Sequence, residues 1–148
     1  MRLWHWELIP YLPNAMLLAQ WRELCSIVKR IDERGTPGHR LVNPVMEYPW
    51  WELYLYSSKV INELGNRGYN LERSRPEFEK NIEKIKHRFN NKRPKTAFIF
   101  MSWHDGRYLN QCYYNLQEKY DRGIITQKEW DEIAHSSPVI NNDIALPF

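Results

Sequence analysis

Cysteine is scarce in this chain: two among 148 residues, Cys25 and Cys112, far apart and each set among apolar residues at helical spacing. Neither belongs to a CxxC pair and no HxxxH occurs, so no local metal site is written in the sequence. A set built from Cys25, Cys112, His5 and His104 would need distant segments to converge; no metal and no cofactor are expected. Both thiols are expected reduced and buried, which places the protein in the cytoplasm. Glycine-rich phosphate loops, GxSxG elbows and HExxH helices are also missing, which removes the most readily recognised nucleotide-binding, hydrolase and metalloprotease chemistries. No charged leader precedes a long apolar run, so neither a secretory signal nor a membrane anchor is expected. Repeats and low-complexity tracts are missing too.

What the chain has instead is rings. Seven Trp, nine Tyr and five Phe make 14% of the residues aromatic, more than a small core needs, so some either fill the interior bulkily or line a concave surface that meets flat ligands. The formal charge of +3 and pI of about 8.8 permit a nucleic-acid partner without demanding one. Its distribution is uneven. The run "KIKHRFNNKRPK" from Lys84 to Lys95 holds six Lys or Arg and no acid, either a solvated helix end or a stripe for phosphates.

Periodicity gives an all-α chain in one compact domain, residues 1–148, of four or five helices, with no βαβ or hairpin signal. Pro10, Pro13 and Asn14 punctuate the start, and Leu17, Trp21, Leu24, Val28 and Ile31 mark a first helix of about five turns closed by Gly35. "WWELYLYSSKVINEL" is a second helix. A third is expected from a Ser74 cap and Pro76 down to Asn90 and Asn91, followed by "TAFIFMSW" in irregular or helical form, for a lone strand has no partner. Tyr108, Leu109, Cys112, Leu116 and Tyr120 mark a fourth, with His104 and Asp105 either capping it or lying in a cleft. "TQKE" is a capping box with Thr126 at the N-cap and Glu129 three residues on. The closing "SPVINNDIALPF" is expected extended and packed back on the body.

Two places hold candidate chemistry: the start, "MRLWHWELIP", and the helix facing it, "QWRE". On that helix Met16, Gln20, Glu23 and Ile27 lie on a flank beside the apolar stripe, with Arg30 nearby. Glu23 sits at the core's edge. There it either pairs with a surface cation or, facing the aromatic chain start partly desolvated, does acid or base work.

The stretch "MRLWHWELIPYLPNAMLLAQWREL" resembles the start of the pyrimidine-dimer DNA glycosylases, the phage endonuclease V type and its bacterial relatives. The likeness continues more weakly through "HRLVNPVMEYPWWELYLYSSKVINELGNRGYNL" and then fades to "LQEK". It implies a nucleophile that is the chain's own α-amine, here Met1, which attacks sugar C1′, expels the damaged base and forms an imine whose β-elimination nicks the strand. The choice is chemically sound: an ordinary α-amine titrates near ~7.7 and a lysine near ~10.4, so only the former is substantially neutral at physiological pH. A bulky Arg2 disfavours removal of the initiator methionine. The resemblance gives Glu23 the catalytic carboxylate's role of holding protons at the sugar, and Arg2 and Arg22 the flanking phosphates. Trp4, Trp6 and Trp21 would wedge or stack on unstacked bases. His5, Arg30 and Lys119 complete the expected DNA-binding set. The substrate implied is duplex DNA with a damaged or abasic nucleotide, handled by a monomer, with no membrane involved.

The chain departs from the family at three places: Ser26 where a basic residue is usual, Met16 for a histidine, and Asn115 for an arginine. Lys29, Arg30, Arg107 and the Lys84 to Lys95 run are candidates to replace the lost charge. Two other readings compete: a non-catalytic DNA- or RNA-binding module on the same fold, and a protein-interaction domain whose aromatic groove takes a peptide.

Overall fold

The computed structural model describes residues 1–136; the "SPVINNDIALPF" segment lies outside them. The architecture is all-α, as the periodicity indicates: α1 (Asn14–Arg34), α2 (Trp50–Asn66), α3 (Arg75–Ile85), α4 (Gly106–Asp121) and α5 (Gln127–Ser136), with three short 3-10 turns and no strand among the described residues.

The long first helix begins behind Pro13, whose carbonyl accepts from Met16 N and Leu17 N at 3.0 and 2.9 Å. It ends at Gly35 in the left-handed region (φ 80°), whose N–H returns to the Ile31 carbonyl, a conformation that glycine adopts without a Cβ penalty. Between those stops Leu17, Trp21, Leu24, Ile27, Val28 and Ile31 form one buried stripe. α3 and α2 pack against it. The head of α2 takes a distant cap, the Asn91 side chain accepting from Trp50 N at 3.0 Å.

Local signals hold at α4 and α5. Asp105 caps α4 by accepting from Tyr108 N at 2.9 Å, and Thr126 and Glu129 form the reciprocal box, at 2.9 and 3.2 Å. Two expectations are corrected. Ser74 occupies the N-cap position of α3 without capping it, because its hydroxyl accepts the Trp21 indole N–H at 2.9 Å instead. The third helix stops at Ile85, short of Asn90, and tightens into a 3-10 turn over Lys86–Arg88.

Residues 96–103 are irregular, and Glu52 is the reason they hold one path. Its buried carboxylate accepts from Phe100 N at 2.8 Å, pinning Phe100 at a positive φ of 54° among Tyr48, Tyr56 and Trp103. The first five residues have no regular secondary structure, and the chain then coils into a 3-10 turn at Trp6–Tyr11. Arg67 at the end of α2 clamps that turn, donating to the Pro10 and Leu12 carbonyls at 3.0 and 2.6 Å and to Asn14 Oδ1 at 2.9 Å.

Candidate active site

The chain start is threaded between α1, α2 and α4 and held through its main chain. Gln20 of α1 donates from Nε2 to the Arg2 carbonyl at 3.0 Å and accepts from Trp4 N at 2.9 Å. Tyr108 of α4 donates to the Leu3 carbonyl at 2.7 Å and Tyr56 of α2 to the Trp4 carbonyl at 2.5 Å. Trp6 N donates to His104 Nδ1 at 3.2 Å. Five backbone groups on residues 2, 3, 4 and 6 thus have fixed partners, so this segment is not left to fray.

These anchors bring Met1, Arg2 and Trp4 to the wall of a cavity of about 250 Å³, shared with Met16, Ala19, Gln20 and Glu23 of α1 and Lys119 of α4. Glu23 receives the second Gln20 N–H at 3.2 Å on Oε2. Among the described residues no ion pair engages Glu23 or the α-amine. The Met1 thioether lies 3.6 Å from Arg30 Nη1, drawn along α1. The Arg2 guanidinium stacks 5.0 Å over the Trp4 ring, which is otherwise buried.

Five of the nine residues that sequence singles out therefore meet at one cavity: Met1, Arg2, Trp4, Glu23 and Lys119. Arg30 touches Met1 from outside the wall. Arg22 is exposed on α1 and does not line the cavity. His5 and Trp21 are each only 3% exposed, with partners of their own: His5 donates to the His104 carbonyl at 2.9 Å and accepts from Glu7 N at 3.1 Å, and the Trp21 ring packs on Phe78. Rings so enclosed have no face to give a base. Trp6 is half-buried beneath Lys59, 5.3 Å from the ring centre.

Two of the departures from the family pattern are also placed. Met16 lines the cavity where a histidine is usual, while Ser26 opens onto a separate small hollow with Cys25, Lys29 and Ser74. The Lys84 to Lys95 run lies elsewhere, with Lys84 3.9 Å from Asp32 near the end of α1, Lys86 over Trp50 at the head of α2, and Arg93 over Tyr48. It does not reach the cavity. No cluster of three or more His, Cys, Asp or Glu side chains converges for a metal among the described residues, and no helix there is long and apolar enough to cross a membrane. Cys25 and Cys112 are free thiols, the second buried and the first half-buried.

Behind the anchored segment burial disfavours the charged forms of the polar groups. Burial holds the His5 imidazole down to about 4 and His104 well below its ordinary range, while it pushes the Tyr56 and Tyr108 hydroxyls up. The cations at the cavity wall are thus the local positive charge, with Glu23 opposite. Larger hollows of about 380 and 390 Å³ run along α2, sharing Trp6, Lys59 and Asn62. Neither of them is lined by Met1 or Glu23.

Gln20, Tyr56 and Tyr108 build the site although the sequence reading gave them no role in it, while His104, expected at a cap or in a cleft, accepts from Trp6 N. Gln20 carried a signal, a polar residue on the edge of an apolar stripe, three positions before Glu23. Tyr56 and Tyr108 carried none, for a tyrosine on an inward helix face reads simply as core.

Neither a curated protein nor a solved structure matches the chain. A family model described as pyrimidine dimer DNA glycosylase matches residues 1–77, the span that holds Met1, Arg2, Gln20 and Glu23. Covering over half of the 148 residues, that match shows that the chain belongs to the pyrimidine dimer DNA glycosylase family.

Proposed function

We propose that this protein is a DNA glycosylase with abasic-site lyase activity that works through the Met1 α-amine and Glu23 on damaged pyrimidines in duplex DNA. The observation that carries the reading is the shared cavity: the chain's first residue and the α1 carboxylate line one opening, with Arg2 and Lys119 beside them.

The neutral amine gives its lone pair to sugar C1′ as the glycosidic bond breaks, and that bond's electrons leave with the base, which takes up a proton. Glu23 accepts the proton that the new C–N bond displaces and returns one to the ring oxygen as the C1′–O4′ bond opens, leaving a cationic imine beside its carboxylate. Loss of a C2′ proton then expels the 3′ phosphate, and water releases the aldehyde and restores the amine. Arg2 and Lys119 lie where they can hold the flanking phosphates, and exposed Arg22 and half-buried Arg30 extend the positive edge along α1. Trp4 serves as the floor under Arg2, while His5 and Trp21 act through packing that fixes the segment.

Borohydride reduction of a mixture with abasic duplex tests this. Covalent protein–DNA adduct is expected from the untagged and C-terminally tagged proteins and none from a protein with an N-terminal extension. Adduct formation that survives the extension overturns the amine's role; DNA binding with no adduct from any form marks a non-catalytic binding module.

A further inference from the structure

We infer that Gln20 is a positioning residue for the amine and the carboxylate together: a single buried carboxamide fixes both the path of the chain start and which oxygen of Glu23 faces the cavity. The inference rests on the reading that Met1 and Glu23 carry the chemistry.

A carboxamide has two donors and a carbonyl with two acceptor sites, and in Gln20 both donors and one acceptor site are used. Oε1 accepts from Trp4 N at 2.9 Å, and the Tyr56 oxygen, whose one proton goes to the Trp4 carbonyl at 2.5 Å, lies 3.0 Å away. Nε2 donates to the Arg2 carbonyl at 3.0 Å and to Glu23 Oε2 at 3.2 Å. The partners fix the orientation, because a flipped amide would set N–H against N–H at Trp4 and oxygen against oxygen at Arg2 and Glu23. The side chain is 1% exposed, so no water substitutes for a lost partner. Contacts at residues 2 and 4 bracket one stretch of backbone, which leaves the direction of Met1 little freedom.

The bond to Glu23 has a second consequence. Oε2 is held by an amide N–H, while no hydrogen bond among the described residues engages Oε1, so the latter is the oxygen free to exchange protons with a sugar. Packing alone would be served by an apolar residue at position 20. A polar hub tied by three hydrogen bonds in a tight interior instead enforces one geometry.

Gln20→Glu keeps the shape and inverts the bonding: the ionised carboxylate presents oxygen to the Arg2 carbonyl and to Glu23, and only its protonated form donates to one of them. Gln20→Met removes all three bonds at similar volume. Single-turnover trapping on abasic duplex with cyanoborohydride, across neutral to mildly acidic pH, is expected to slow about 10- to 100-fold for Gln20→Glu at neutral pH. That deficit should narrow on acidification. Gln20→Met should be slow throughout, with both variants binding the duplex within about threefold of wild type, as remote phosphate contacts dictate. Tyr56→Phe, which keeps the three carboxamide bonds and removes the neighbouring hydroxyl's bond to the Trp4 carbonyl, is expected to slow trapping about two- to threefold with duplex affinity unchanged, on the scale of a single hydrogen bond. Trapping at the wild-type rate with the wild-type pH profile in these variants overturns the inference, as does a loss of trapping that only tracks a loss of binding. A wild-type protein that traps nothing removes the Met1 and Glu23 reading itself, and this inference with it.

Discussion

The Tyr56 hydroxyl donates to the Trp4 carbonyl at 2.5 Å, across 52 positions of sequence, and its oxygen also lies 3.0 Å from Gln20 Oε1. Tyr56 is fully buried, so Tyr56→Phe leaves the Trp4 carbonyl short of its donor in the dry interior. That is expected to lower stability by about 1–3 kcal/mol. In urea unfolding the midpoint should fall with little change of slope; an unchanged midpoint contradicts the bond's importance.

The buried imidazoles set a pH dependence. In the unfolded chain a histidine protonates near 6.5, whereas folded His5 is held down to about 4 and His104 well below its ordinary value, both by burial. Between those limits the unfolded state binds more protons. Stability is therefore full above pH 6.5 and declines as pH falls toward 4, by about 1.4 kcal/mol per pH unit for each histidine well inside the window. Burial raises the Glu52 carboxyl and works in the opposite direction, since the folded state then takes up its proton first, but one carboxyl opposes two imidazoles. Urea midpoints at neutral pH and near pH 5 should differ in that sense; equal midpoints contradict it.

Glu52 supports a paired comparison. Its Oε1 accepts from Phe100 N at 2.8 Å inside the protein, so Glu52→Ala strands a buried amide and should cost about 1–3 kcal/mol. Glu52→Gln retains a carbonyl acceptor without the cost of a buried charge and should match or exceed wild type in thermal unfolding. Equal losses in both variants would show that the carbonyl does not replace the carboxylate.

Gly35→Ala tests the end of α1. The position has a φ of +80°, and a Cβ there would meet Arg88 Nη1 at 3.2 Å. Arg88 is a flexible side chain that can move, so the loss expected is the left-handed penalty itself, about 1–2 kcal/mol, read as a lower melting temperature.

How much of this was legible in the sequence depends on how far each cause reaches along the chain. The Thr126–Glu129 box, the Asp105 cap and the Gly35 stop depend on partners within four residues, and short patterns display them. The direction of a ring does not. Trp21 reads as an inward residue on α1, but its bond to Ser74 comes from 53 positions away and displaces the cap expected there. His5 reads as a nucleic-acid contact because it sits in a suggestive opening, yet its partner is His104, 99 positions on. Met1 and Glu23 could be paired from the family resemblance; the carboxamide that ties their surroundings together is apparent only once the start of the chain is laid along α1.

The amine's identity is the central claim, and the cavity offers a competitor, since Lys119 lines it with Met1. Peptide mapping by mass spectrometry of the borohydride-reduced adduct distinguishes them. The reduced sugar is expected on the N-terminal peptide containing Met1, attached through its α-nitrogen. Adduct found on the Lys119 peptide, with Met1 unmodified, contradicts the account.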